Sequence, residues 1–224
     1  MKKHSKENKK QNEQRRLQNQ LINQNKSSLS HLVNGATKII ATPSSKPIEN
    51  TQFESHVGGQ PYFEKIEEWD YGLWPKTKKG KKLDFVLQIF NDGNIAMPQN
   101  IKLVQFFLDM DNLPTETSDD GWEIIVYEEL NPENFVFIEN PKGLNGVRYR
   151  EFEFKPTSLY GNEIDSRLGG SPHWLQFGTN EFDEYYLLLQ IDSFDIGVTW
   201  HDCGVAYIFY EPKSKKIGFR LESC

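Results

Sequence analysis

The stretch YYLLLQI, residues 185–191, decides the fold of this chain. It is short, rich in aromatic and aliphatic residues, and apolar at both odd and even positions, so both faces of a strand formed by it would be buried. We therefore predict a central β-strand here. A similar stretch, LDFVLQIF at residues 83–90, is bounded by Lys and Gly before it and Asn-Asp-Gly after it, which is typical of a strand between turns.

Six further stretches have the composition of strands. They are KLVQFFLD (102–109), WEIIVY (122–127), NFVFI (134–138), VRYREFEF (147–154), VAYIFY (205–210) and KIGFRL (216–221). Gly, Pro, Asn and Asp recur between them, and helical patterns are confined to residues 62–70 and 180–185. The sequence predicts a mainly β protein, with a β-rich α+β fold as the alternative.

Three motifs occur twice in the chain, in the same order. The pairs are Gly58-Gly59-Gln60-Pro61 with Gly169-Gly170-Ser171-Pro172, Leu87-Gln88-Ile89 with Leu189-Gln190-Ile191, and Gln105-Phe106-Phe107 with Tyr207-Ile208-Phe209. The first pair is separated by 111 residues and the other two by 102. This constant order predicts an internal duplication, with repeat halves of about 55–130 and 165–221, that forms a roll of two related β subdomains.

The glutamines Gln88 and Gln190 stand at the same place in the two copies, inside otherwise apolar strands. A buried amide without hydrogen-bond partners would cost about 1–3 kcal/mol. We therefore expect each glutamine to bind the backbone of its own Gly-Gly-x-Pro turn, where the glycines allow positive φ and the proline fixes the exit direction. The alternative is that both line a ligand groove. A phosphate cradle is disfavoured, because no helix with Lys-Ser or Lys-Thr follows either turn.

The N-terminal residues differ from the rest of the chain in charge. Residues 1–26 contain eight Lys or Arg, two Glu and only four apolar residues, which gives a formal charge of +6. Since the whole chain is at −6, residues 27–224 carry −12. So few apolar side chains cannot offset the entropy of ordering, so we predict a disordered basic tail and linker over residues 1–50 and an acidic folded domain over 51–224.

This charge distribution restricts the partners. An acidic domain repels phosphates, which disfavours nucleic acid as its partner and favours a basic protein. The tail alone could hold nucleic acid, a membrane surface or an acidic partner, or only keep the chain soluble. No signal peptide or apolar stretch of ~20 residues is visible, so the predicted location is the cytoplasm. Cys203 and Cys224 are too few for a disulfide scaffold.

Two clusters have the side chains of a binding site. They are His173-Trp174 and Trp200-His201-Asp202, with Asp192 and Asp195 as further candidates for the same cleft. Tryptophan offers stacking area, histidine a proton carrier and aspartate a charge. The alternative is that both tryptophans pack in the core or at its rim and both histidines are ordinary surface residues.

Motifs for established chemistry are absent. His173, His201, Asp202 and Cys203 are metal-ligand types, but their spacing matches no known site, so we predict no metal and no other cofactor. Asp109-Met110-Asp111, with Glu116, lacks the glycine and final glutamate of a calcium loop and predicts a turn. No Gly-x-Ser-x-Gly elbow occurs. The sequence assigns no catalytic residue and favours a protein that is not an enzyme.

The repeated motifs resemble those of the YwqG-like family of uncharacterised bacterial proteins. The resemblance spans about residues 55–221 and rests on residues 58–61, Trp74-Pro75 and 85–89 in the first half and on 168–176, 188–192 and 202–209 in the second. It implies a β-rich roll of two similar subdomains and no particular reaction. Relatives often carry Gly-Asp-Gly before the next-to-last strand, where this chain has Asp202-Cys203-Gly204.

The sequence therefore favours binding over catalysis. An acidic, aromatic-bearing β surface would dock a basic protein, and one version is an immunity-type protein that neutralises a basic toxin, because opposite charge speeds association. The alternative is a small-ligand-binding protein or an enzyme. Its cleft would lie near His173, Trp174, Trp200, His201 and Asp202.

Overall fold

The computed structural model describes residues 35–44, 53–64, 74–115, 118–137, 149–159, 164–176 and 178–223. Its architecture is mainly β, which confirms the predicted fold class: ten antiparallel strands form one sheet that is nearly closed into a barrel. The strands are β1 Ala36–Pro43, β2 His56–Val57, β3 Tyr62–Glu64, β4 Asp84–Phe90, β5 Leu103–Leu108, β6 Trp122–Tyr127, β7 Phe135–Phe137, β8 Arg150–Thr157, β9 Arg167–Gly169, β10 Tyr186–Asp192, β11 Gly204–Glu211 and β12 Lys216–Ser223. Strands β3 and β7 form a separate pair. The described helical turns are a 3-10 turn, Pro132–Asn134, and α1, Ser193–Ile196.

The order of the strands in the large sheet is symmetric about its centre. It runs β12-β11-β10-β9-β1-β8-β2-β4-β5-β6, with β1 and β8 paired at the middle. Each side consists of a three-stranded meander, a short strand that leads into a Gly-Gly turn, and one central strand. However, β1 pairs with β9 of the second half, and β8 pairs with β2 of the first. The two halves thus exchange their first strands.

The position of β1 corrects the predicted domain boundary. Residues 36–43 lie inside the segment predicted to be tail and linker, yet they form a strand with Ile39 fully buried. The Ser, Thr and Pro residues around this strand favoured a linker, whereas the alternation of Ile39 and Ala41 toward the core decides its structure. The folded domain therefore includes Ala36.

Local geometry is repeated between the halves, as the predicted duplication requires. The β4–β5 register shifts between Phe85 and Leu87, and the β10–β11 register shifts between Leu187 and Leu189, each 102 residues later. Both Gly-Gly turns have two positive φ angles, of 61° and 74° in the first half and 66° and 74° in the second. Only glycine adopts two such angles in succession without strain.

Three apolar clusters pack against the faces of the sheet. The largest fills the inside of the curved sheet and draws on both halves, whereas each outer face has a cluster of its own. Strands β4 and β10 are therefore buried on both faces, as their composition predicts. The edge strands approach each other where Trp122 of β6 packs on Phe219 of β12, with ring centroids 4.9 Å apart.

Candidate functional site

The two repeated glutamines bind the turns of their own halves. Both are buried, and both make the same pair of hydrogen bonds. The contacts are Gln88 Oε1 with Tyr62 N–H at 3.0 Å and Gln88 Nε2 with Glu54 C=O at 2.8 Å, and Gln190 Oε1 with His173 N–H and Gln190 Nε2 with Asp165 C=O, both at 2.8 Å. Tyr62 and His173 each follow the proline of the turn. Each glutamine thus holds the residue after its own Gly-Gly-x-Pro turn, and both the oxygen and the nitrogen of each side-chain amide are bonded.

The His173-Trp174 segment is tied to the outer face of the second half. The Tyr207 hydroxyl donates to His173 C=O at 2.8 Å and accepts from Leu175 N–H at 2.9 Å. The Trp174 ring packs on the Tyr207 ring with centroids 4.7 Å apart. The buried Glu222 carboxylate accepts the next amide, Gln176 N–H, at 3.0 Å. This network fixes the backbone of residues 173–176 and holds the Trp174 ring against the outer face of the second half.

Trp200 lies on the other side of the sheet. Its side chain is fully buried in the inner cluster, where the centroids of its ring and the Phe106 ring lie 6.3 Å apart. Trp174 instead packs on Tyr207 and Phe209, the residues of β11 that face outward. Because neighbouring residues of a strand point to opposite faces, the two tryptophans are separated by the sheet itself. The predicted cleft that contains both is therefore not assembled.

The remaining predicted residues lie on one stretch of chain, residues 192–203, which comprises the end of β10 and the connection to β11. The two ends of this connection are joined, since Asp192 pairs with Val205 and Gly204 N–H donates to Ser193 Oγ at 3.3 Å. The Asp192 carboxylate caps α1 by accepting Phe194 N–H at 2.8 Å. We name this region the Phe194 surface. Its residues are Asp192, Phe194, Asp195, His201 and Asp202.

The connection is divided into an inner and an outer side. Ile196, Val198 and Trp200 are buried in the inner cluster, whereas the Phe194 side chain is 68% exposed. Gly197 ends α1 in the left-handed region at φ 67°, which turns the chain back toward the core. Sequence reasoning missed Phe194. The sequence signal for this residue is the pair of helix caps, Asp192 at the start of α1 and Gly197 at its end, which confine Phe194 to one short turn.

The Phe194 surface is acidic. Within the described ranges, Asp192, Asp195 and Asp202 form no ion pair. Burial raises the pKa of the Asp192 carboxyl, and the charge of Asp195 adds to this rise. Asp195 is held in place because it accepts Ser166 N–H at 2.7 Å. His201 and Asp202 are exposed, and His201 takes a positive φ of 57°. One stretch of chain therefore carries an exposed aromatic ring and three carboxylates.

Arg150 lies at the rim of this surface. Its guanidinium packs against Gly197 so closely that a Cβ added there would overlap it. The buried Nε of Arg150 has no hydrogen-bond partner. Cys203, which directly follows Asp202, is disulfide-bonded. The sequence contains one other cysteine, Cys224, which lies outside the described residues.

The acidic pair after β5 is a turn, as the sequence predicts. Asp109 Oδ1 accepts the amides of Asp111 and Asn112 at 3.2 and 3.0 Å and forms an ion pair with Lys81. Glu116 lies outside the described residues.

The fold and the Phe194 surface define a class: a mainly β protein with two similar halves, in which one connection between strands carries an exposed aromatic residue among acidic groups. The chain belongs to the family of the domain of unknown function DUF1963, which matches residues 55–216. The match includes both Gly-Gly turns and the Phe194 surface, and it begins after β1. No curated protein matches the chain. No helix in the described ranges is long and apolar enough to cross a bilayer.

Proposed function

We propose that this protein is a non-enzymatic binding module and that its Phe194 surface docks a basic protein. The observation that carries the proposal is the Phe194 ring, 68% exposed and flanked by carboxylates without ion-pair partners in the described ranges. Buried aromatic anchors dominate the binding energy of many interfaces, and complementary charge around them steers the encounter. A basic partner would supply both the apolar contact and the missing cations.

The packing of the connection supports a role for Phe194 outside the fold. The inner side of residues 192–203 is already filled by Ile196, Val198 and Trp200, so the core does not need the Phe194 ring. Burial of such a side chain contributes about 1.5–3 kcal/mol relative to exposure in water. Docking a partner would recover this free energy, which the folded chain alone leaves unused.

The charge of the whole domain supports the same class of partner. Residues 27–224 carry −12, and an acidic field of this kind accelerates association with basic proteins. The concrete version of the proposal is a YwqG-like bacterial protein that binds a basic toxin in the cytoplasm, as immunity-type proteins do. The redox state of Cys203 in cells tests that location, since disulfides persist mainly in oxidising compartments.

A site-specific photo-cross-linker tests the proposal. With p-benzoylphenylalanine in place of Phe194, we expect irradiation at low salt to capture a basic protein of the native host, and irradiation at about 0.5 M salt, where the Debye length falls below ~5 Å, to capture little of it. Capture should also be lost when Asp192, Asp195 and Asp202 are replaced by Asn. Asn is a good helix cap, so the replacement of Asp192 keeps α1 intact.

Lys213 provides the control position. It is exposed and lies in the turn after β11, whereas the Phe194 surface precedes β11, so the two are separated by the length of that strand. The same cross-linker at position 213 should capture none of the basic protein. Identical proteins captured from both positions, or no basic protein captured from position 194, would contradict the proposal.

A further inference from the structure

We propose that the basic N-terminal segment of this chain, residues 1–26, occupies the Phe194 surface and competes there with the partner. The inference rests on the proposed function and names a regulator of the same surface. The segment carries +6 and the rest of the chain −12, so the charge that selects a basic partner also selects this segment. A surface with three carboxylates and no ion pair in the described ranges is its complement.

The position of β1 brings the segment close to this surface. Ser166 links the two, because its carbonyl accepts Ile39 N–H of β1 at 2.8 Å and its amide donates to Asp195 at 2.7 Å. The whole of β1 spans about 26 Å. Lys26 lies ten positions before Ala36, and ten extended residues reach about 35 Å. The basic residues can therefore reach the carboxylates from where the described chain begins.

Tethering makes even a weak contact effective. A segment joined by a short linker acts on its own domain at an effective concentration of about 1 mM. With an intrinsic dissociation constant of about 1 mM, the segment would fill the surface half of the time and weaken partner binding about twofold. A constant of about 0.1 mM would weaken it about tenfold. The segment would thus set a threshold of partner affinity.

Zero-length cross-linking of the full chain tests the contact. A carbodiimide joins lysines to carboxylates in direct contact, and mass spectrometry identifies the joined residues. We expect links from lysines of residues 1–26 to Asp192, Asp195 and Asp202, which disappear when these three are replaced by Asn and weaken at about 0.5 M salt. A mixture of isotope-labelled and unlabelled chains should show links within one chain.

The matched control replaces Glu181 and Glu184 with Gln. Both are exposed carboxylates in the turn before β10, at the opposite end of that strand from Asp192. This variant should keep the links to the Phe194 surface. Two results would overturn the inference. One is that links spread evenly over the exposed carboxylates. The other is that the triple Asn variant gives the same links to its remaining acids as the unchanged chain does.

A second full-chain variant separates this inference from the proposed function. Replacing the eight Lys and Arg of residues 1–26 with Gln should raise capture of the basic protein at position 194 by about two- to tenfold, the range set by the effective concentration. Unchanged capture would overturn the tail contact and leave the docking proposal standing. Absence of capture in both chains would instead remove the docking proposal, and with it the competition.

Discussion

The two β-β connections at equivalent places in the halves are built differently. In the first half, residues 91–102 turn inward: Ile95, Ala96 and Met97 are buried, and the Tyr186 hydroxyl donates to Ala96 C=O at 3.0 Å. In the second half, residues 192–203 keep an inner side but place Phe194 in solvent. The strands, bulges and glutamines around both are repeated. The β10–β11 connection departs from this repeat, and it is therefore the better candidate for a functional role.

The exchanged strands repeat this difference. Thr37 of β1 pairs with Leu168, and Arg150 of β8 pairs with Val57, so the two residues occupy equivalent positions. The Thr37 hydroxyl accepts Ala96 N–H at 2.9 Å and fixes the first connection. Arg150 lies against Gly197 with its buried Nε unpartnered. One half uses this position to close its connection, and the other leaves a polar atom unsatisfied.

The largest effect should come from the shared frame, by replacing Gln88 or Gln190 with Leu. Each change leaves a buried amide and a carbonyl without partners, at about 1–3 kcal/mol per group, so we expect each to lower the free energy of unfolding by about 2–6 kcal/mol. Urea denaturation measures it. The exposed Gln99, changed to Leu as a control, should cost less than about 0.5 kcal/mol. A loss of unfolding free energy below 1 kcal/mol at either glutamine would contradict its role in holding the turn.

The two Gly-Gly turns should differ when an alanine is introduced. Gly59 and its counterpart Gly170 both have a φ of 74°, which costs alanine about 1–2 kcal/mol. A Cβ at Gly170 would also lie 2.8 Å from Leu159 C=O and 3.1 Å from the Ala36 Cβ, whereas at Gly59 the nearest atom belongs to the Tyr149 side chain. We expect losses of about 2–5 kcal/mol for Gly170→Ala and about 1–2 for Gly59→Ala. Equal thermal shifts for both would show that the second turn is no tighter.

A pH titration should separate the halves through His56 and Arg167, which precede the two turns at equivalent positions. Burial lowers the pKa of His56 to about 4. Since the unfolded state binds a proton near pH 6.5 and the folded state only near 4, stability should fall by about 3 kcal/mol as the pH decreases between these values. The equivalent position in the second half holds Arg167, whose guanidinium is ion-paired with Asp165 at 2.5 Å.

The contribution of His56 is isolated by two variants. His56→Gln should flatten the decline of the urea midpoint between pH 6.5 and 4. The exposed Gln99, changed to Leu, removes no titratable group and should leave the wild-type decline in place. If both variants retained the full slope, the pH dependence would belong to other groups.

The smallest effect on stability should come from Phe194→Ala. Because the ring is 68% exposed, its removal should change the free energy of unfolding by no more than about 0.5 kcal/mol. The same variant, tested against the basic protein captured at position 194, should lose binding by about tenfold or more, as hot-spot aromatics do. A loss of stability above about 1 kcal/mol would assign the ring to packing instead.

Sequence patterns predict the strands well and the tertiary choices poorly. The long apolar stretches at 83–90 and 185–191, and the matched glutamines, follow from periodicity and from the cost of a buried amide. The exchange of β1 and β8 does not, because strand partners are chosen by contacts more than 100 residues apart. Trp200 and Phe194 lie on one connection, and only tertiary packing decides which of them is buried.

The exchange of first strands has a consequence for synthesis on the ribosome. Strand β1 is made early, but its partners β8 and β9 emerge more than a hundred residues later. At about 5–20 residues per second, β1 waits roughly 6–20 seconds without a neighbour, and β2 lacks one of its two. Unpaired edges of this kind aggregate readily, so a nascent first half needs shielding until its counterpart is translated. Each half thus relies on the other for the pairing of its first strand.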